Sequence, residues 1–131
     1  MSKRADWQPR SLMELPFYYC LVITERDYER ELKRLKIARK DWPSYTNSVH
    51  ANATAHFFSR TNSTDECCIV TLRNWKRIKK VAVFGILVHE AVHIWQEMRD
   101  KIGERFPSPE FEAYAIQRIA QNLMHSFEEQ T

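Results

Sequence analysis

The chain has 131 residues, 44% of them hydrophobic, with 2 Gly and 5 Pro, which gives room for one domain around one core and too few breakers for long flexible linkers. The balance of 20 Lys and Arg against 17 Asp and Glu leaves a formal net charge of +3, only mildly basic. No stretch reaches the roughly 18–20 apolar residues of a membrane span, and Met1-Ser2-Lys3-Arg4 runs into polar sequence instead of the apolar segment of a signal peptide.

The cysteines are Cys20, Cys67 and Cys68, an odd number with an adjacent pair, which does not resemble a disulfide framework. A reduced, cytoplasmic setting with no membrane partner is the expectation. The adjacent pair lacks the C-x-x-C spacing of structural zinc sites and reads as strand. Asn52 and Asn62 open glycosylation sequons that carry no meaning without secretion.

In chain order, residues 1–15 hold Trp7 and Pro9 without a clear period and read as an arm packed by its aromatics. Phe17 to Ile23 is a run of seven apolar residues, long enough for a strand and too short for a helix, whose continuity suggests burial on both faces. Thr24 caps a helix, with Asp27 as a short substitute for the usual capping-box Glu, and Tyr28, Leu32 and Leu35 form its apolar stripe. Asp41-Trp42-Pro43-Ser44 is a break. Thr54–Arg60 and Cys67–Leu72 read as two strands of a hairpin joined by the polar Thr61-Asn62-Ser63-Thr64-Asp65-Glu66. A long helix then runs from about Trp75 or Lys79 to Ile102, where Gly103 ends it. Ser108 and Pro109 supply the N-cap and first residue of a last helix, to about Phe127. The expectation is one α+β domain over residues 1–131, a small, mostly antiparallel sheet packed on helices, with strand, helix and hairpin in 1–74 and the two long helices in 75–131.

The long helix carries His89-Glu90-Ala91-Val92-His93. Positions i and i+4 share a helix face, so both imidazoles can reach one Zn²⁺ at about 2.0–2.1 Å. Glu90, about 100° around the helix, belongs beside the metal, where a general base for its water would sit. The run Val81–Val88 holds no charged residue, so burial nearly all round is expected there. A Glu in such a place is expensive unless something compensates it. Two core histidines bonded to neighbours, with Glu90 at a helix seam, is the plainer alternative.

A third ligand is available in Glu112. It shares a face with Ile116, Ile119 and Leu123, the apolar stripe of the last helix, whereas Glu110 shares its face with Tyr114, Gln117 and Gln121. Glu112 also lies in the first turn, where the helix dipole favours the ionised form that a ligand needs. A buried salt bridge, to Arg118 or a lysine, is its alternative role. Glu97, His125 and His56 are reserve ligands.

His89-Glu90-x-x-His93-x-x-Gln96, followed after a short loop by Glu110-Phe111-Glu112-Ala113-Tyr114, resembles the small zincin metallopeptidases of the gluzincin type, in which compact bacterial and phage-encoded domains carry similar signatures. The resemblance covers about the last fifty residues; the first seventy-five match in element order only. It implies a minimal zincin core, a zinc ion held by His89, His93 and Glu112, Glu90 as base, and hydrolysis of an amide bond in a protein or peptide. Larger gluzincins carry an acidic residue one turn after the third ligand, where this chain has Ile116, so support for a ligand histidine has to come from elsewhere. The hairpin, with Cys67–Leu72 foremost, is the expected cleft edge to which an extended peptide adds as a strand. Tyr114, His56, His125 and Arg118 have the chemistry of an oxyanion donor, but a surface or core role suits each better. Gln96 lies near the motif face and Trp95 reads as core.

Two rival functions remain. One is a zincin-fold binding or structural module without turnover. The other is a DNA-associated protease, prompted by Lys33, Arg34, Lys36, Arg39 and Lys40 and by Arg73, Lys76, Arg77, Lys79 and Lys80. Solvated helix faces explain both basic clusters more simply, so nucleic acid is not the expected partner.

Overall fold

The computed structural model describes residues 4–8, 17–59 and 66–131. Pro9, Arg60 and most of the hairpin connector, with its sequon at Asn62, lie outside them. The elements are β1 (Phe17–Val22), α1 (Glu25–Arg34), β2 (Ala53–Ser59), β3 (Glu66–Leu72), α2 (Lys80–Lys101) and α3 (Pro109–Gln130), with short 3-10 turns at Arg39–Asp41 and Trp75–Arg77.

The helix ends follow their local chemistry. Thr24 Oγ1 accepts the Asp27 N–H at 3.1 Å and starts α1. Ser108 Oγ accepts the Phe111 N–H at 3.2 Å, with Pro109 opening α3. At the end of α2, Gly103 takes φ 71°, and its N–H and that of Glu104 bond back to the carbonyls of Asp100 and Arg99 at 3.2 and 3.0 Å. That is the left-handed cap for which glycine is suited. The end of α1 has the same shape with Lys36 at φ 59°.

The sheet order is β1-β3-β2, with β1 parallel and β2 antiparallel to β3. It is therefore mixed, not mostly antiparallel. The hairpin reverses the chain once, and the connection through α1 and residues 35–52 brings its second strand, not its first, beside β1. Cys67–Leu72 is consequently not the edge. β3 is the central strand, with residues 68–72 fully buried. Its apolar run Cys67–Val70, resumed at Leu72 after the buried Thr71, fits that place, because a strand flanked by neighbours and covered on both faces has no side to give to water. β2 is the outer strand, and its alternation of Thr54 and His56 with Ala53, Ala55 and Phe57 suits a half-covered position. On the other side, the Gln8 N–H bonds to the Tyr19 carbonyl at 2.9 Å, so the N-terminal arm lies along β1.

The sheet is sandwiched. α2 and α3 cover one face, where Tyr19, Leu21, Val70 and Leu72 meet Leu87, Ile94, Ile119 and Leu123. α1 covers the other, where Cys20, Val22 and Ile69 meet Tyr28 and Leu32. Among the described residues no helix is long and apolar enough to cross a membrane.

The segment Val81–Val88 is not buried all round. Val83 and Leu87 are sealed, but Val81 is 74% and Val88 39% exposed. The sheet and α3 each cover one sector of α2, and nothing described covers the third.

Candidate metal and catalytic site

His89 and His93 lie on that open sector of α2, one turn apart, with their Nε2 atoms 3.1 Å from each other. Both rings are exposed. Glu90, a third of a turn away, faces the sheet and is 6% exposed. Burial pushes its pKa above the ordinary carboxylate value, opposed by the nearby rings of His93 and His89. Glu90 is thus the one motif side chain that is desolvated, while both imidazoles stay open to solvent.

The three side chains line a cleft of ≈ 570 Å³. Its floor on the α2 side continues through Gln96, Glu97 and Asp100, and its opposite wall is Ala53, Thr54, Ala55 and Phe57 of β2, with Asn47 and Ala51 from the preceding loop. The cleft exists because β2 turns small side chains, Ala53 and Ala55, toward α2, so the space beside the motif is not filled. The short side chains at alternate positions 53 and 55 were the available sequence signal for this wall.

Glu112 sits elsewhere. Its Oε2 accepts the Trp95 indole N–H at 2.7 Å and an Arg99 guanidinium N–H at 3.2 Å. A salt bridge is thus the geometry found, with Arg99 as the cation and not Arg118 or a lysine. Trp95 is about 200° and Arg99 about 240° around α2 from His93, so the carboxylate is tied to the flank of α2 that meets α3. The structure brings His89, His93 and Glu90 together and does not bring Glu112 to them. Among the described residues no three His, Cys, Asp or Glu side chains converge in a metal-holding group.

The remaining candidates separate cleanly. Glu97 lines the cleft and is half-buried. Gln96 lines it too, while Trp95 is 1% exposed core. Glu110 points to solvent, and Ile116 packs against the main core. His56 is buried on the α1 side, with its Nε2 2.9 Å from the Tyr45 carbonyl, and burial holds its pKa below the ordinary value. His125 is exposed, 3.6 Å from Glu129. Tyr114 and Arg118 are exposed on α3. None of these four lines the cleft.

A scan against protein-family models and searches of curated proteins and of solved structures found no match. Function has to be read from the geometry and the chemistry of the side chains.

Proposed function

We propose that the protein is a zinc-dependent peptidase that hydrolyses amide bonds in a protein or peptide, with His89, His93 and Glu112 holding the metal and Glu90 as general base. The observation that carries this is the approach of the two imidazole Nε2 atoms to 3.1 Å at a cleft whose neighbouring carboxyl group is buried. Two nitrogens bound to one tetrahedral zinc at about 2.05 Å lie about 3.3 Å apart, so the pair fits the ion with little movement. Glu112 fits less well, because its Oε2 is engaged by Trp95 and Arg99 and has to leave them.

A bound zinc ion supplies Lewis acidity, lowering the pKa of water from 15.7 toward about 7 and polarising the scissile carbonyl. The protein's own part is proton handling and placement. Glu90, made more basic by its poor solvation, takes the proton from the attacking water and delivers it to the leaving amine. β2 pairs on its outer side with no strand among the described residues, so an extended substrate can align its main chain along the cleft wall at Ala53–Phe57.

Measuring bound metal tests the ligand set. His89→Ala and Glu112→Ala are expected to lose zinc, and Glu110→Ala to keep it. Glu90→Gln is expected to keep zinc and to lose cleavage of a peptide library; an active Glu90→Gln protein would refute the base assignment. The second reading, a binding module without turnover, is favoured by the engagement of Glu112 and predicts no chelator-sensitive digestion at all.

A further inference from the structure

We infer that Trp95 and Arg99 form a latch on Glu112 that opposes metal loading, so that binding of zinc to His89 and His93 is coupled to release of an α2–α3 cross-link. The inference rests on the zinc reading above. Glu112 reaches from the first turn of α3 to α2 as an acceptor, and both the Trp95 and the Arg99 bond fall on a single oxygen, Oε2. The imidazoles face the cleft, whereas Trp95 lies about 160° and Arg99 about 120° around the helix from His93, and the carboxylate they hold joins no metal-holding group with the imidazoles among the described residues. One carboxylate cannot occupy both places.

The two partners differ in freedom. Trp95 is immobilised in the core at 1% exposure, while the Arg99 side chain is 30% exposed and also lines the cleft. Arg99 is therefore the part of the latch that can swing, and Trp95 is the part that reports. Each is a positioning residue acting through Glu112. An acceptor that gives up an indole N–H and a guanidinium N–H loses two bonds to a charged group, and the zinc affinity is lowered by whatever those bonds contribute.

The test is a titration of the full chain with zinc alone, read by calorimetry and by the indole N–H resonances of the 4 tryptophans. Trp95→Phe identifies its resonance by disappearance, and Arg99→Gln and Arg99→Lys, at a half-exposed position, serve if that variant folds poorly. The expected results are that one indole resonance shifts toward a free N–H on adding zinc, and that Arg99→Gln binds zinc roughly threefold to tenfold more tightly, with Arg99→Lys nearer the parent. Zinc binding that depends on His89 and His93, with an unmoved Trp95 resonance or with unchanged or weaker binding by Arg99→Gln, overturns the latch and leaves the zinc site standing. Absence of any zinc binding by the parent chain overturns both.

Discussion

Glu31 offers the sharpest test of how the N-terminal arm is held. It lies on α1 between half-buried Arg30 and sealed Leu32, and is itself 1% exposed. Its Oε2 accepts the Ala5 N–H at 3.1 Å and its Oε1 the Trp7 indole N–H at 2.9 Å, with Arg34 Nε 3.6 Å away. Glu31→Gln preserves shape, but its amide nitrogen cannot accept, so one of the two donors loses its partner, at about 1–3 kcal/mol. Glu31→Leu strands both, at about 2–6 kcal/mol by doubling the single-donor figure. Urea denaturation followed by tryptophan fluorescence gives the difference from the midpoints at constant slope. Limited proteolysis gives a second readout, because an arm that detaches to hydrate its donors becomes cleavable around residues 4–8. A Glu31→Leu protein within about 0.5 kcal/mol of the parent, the scatter of ordinary surface changes, and with the arm still protected, would refute this account.

Other outcomes follow from single residues. Burial lowers the pKa of His56, so the unfolded chain takes up that proton first; the stability it contributes is full above about pH 6.5 and falls as the pH drops. Urea midpoints between pH 7.5 and about 5 should decline less steeply in His56→Leu than in the parent. Glu90 has the opposite sign. Its raised pKa gives the metal-free protein stability that is full below the ordinary carboxylate value and lost as the pH rises, so Glu90→Gln should gain on the parent in going from pH 4.5 to 7.5. Lys36 holds φ 59°, and Lys36→Gly should stabilise by about 0.5–1 kcal/mol in the same assay. Leu87, fully buried between α2 and the sheet, should cost about 2–5 kcal/mol as Leu87→Ala.

What could be read from the sequence was what is decided locally. The caps at Thr24 and Ser108, the stop at Gly103 and the two hairpin strands depend on residues a few positions apart, and each is found within a residue or two of its expected place. The pairing of His89 with His93 is equally local, since helical spacing alone brings them together. The parallel partnership of β1 with β3 was not legible, because no pattern within either strand specifies its neighbour across some forty residues. The burial of Glu31 has no local signal in α1, since it comes with bonds from Ala5 and Trp7, some twenty-five residues earlier in the chain. Glu112 was expected to point inward on the apolar stripe of α3, and it is half-buried, with its side chain 34% exposed. The stripe specifies a direction, though, and not which of Arg99, Trp95 or a metal meets the carboxylate there.

The burial of Glu90 ties fold to function. α2 gives the sheet Val83, Leu87, Ala91, Ile94 and Met98, and within that apolar sector Glu90 is the one carboxylate. An aliphatic side chain would pack there without a desolvation cost, and local stability alone favours one. On the sheet side the Cys68 thiol is itself pushed up in pKa, by burial first and then by the charges of Cys67, Glu90 and Glu97. The nearby rings of His93 and His89, on the cleft side, act against the desolvation of Glu90. A carboxylate that breaks the packing rule of its own helix beside two convergent imidazoles fits the general-base role proposed above. On the proposed peptidase reading, the stability gain expected of Glu90→Gln in the metal-free chain and its expected loss of cleavage belong together: both follow from a carboxylate held where solvent is scarce.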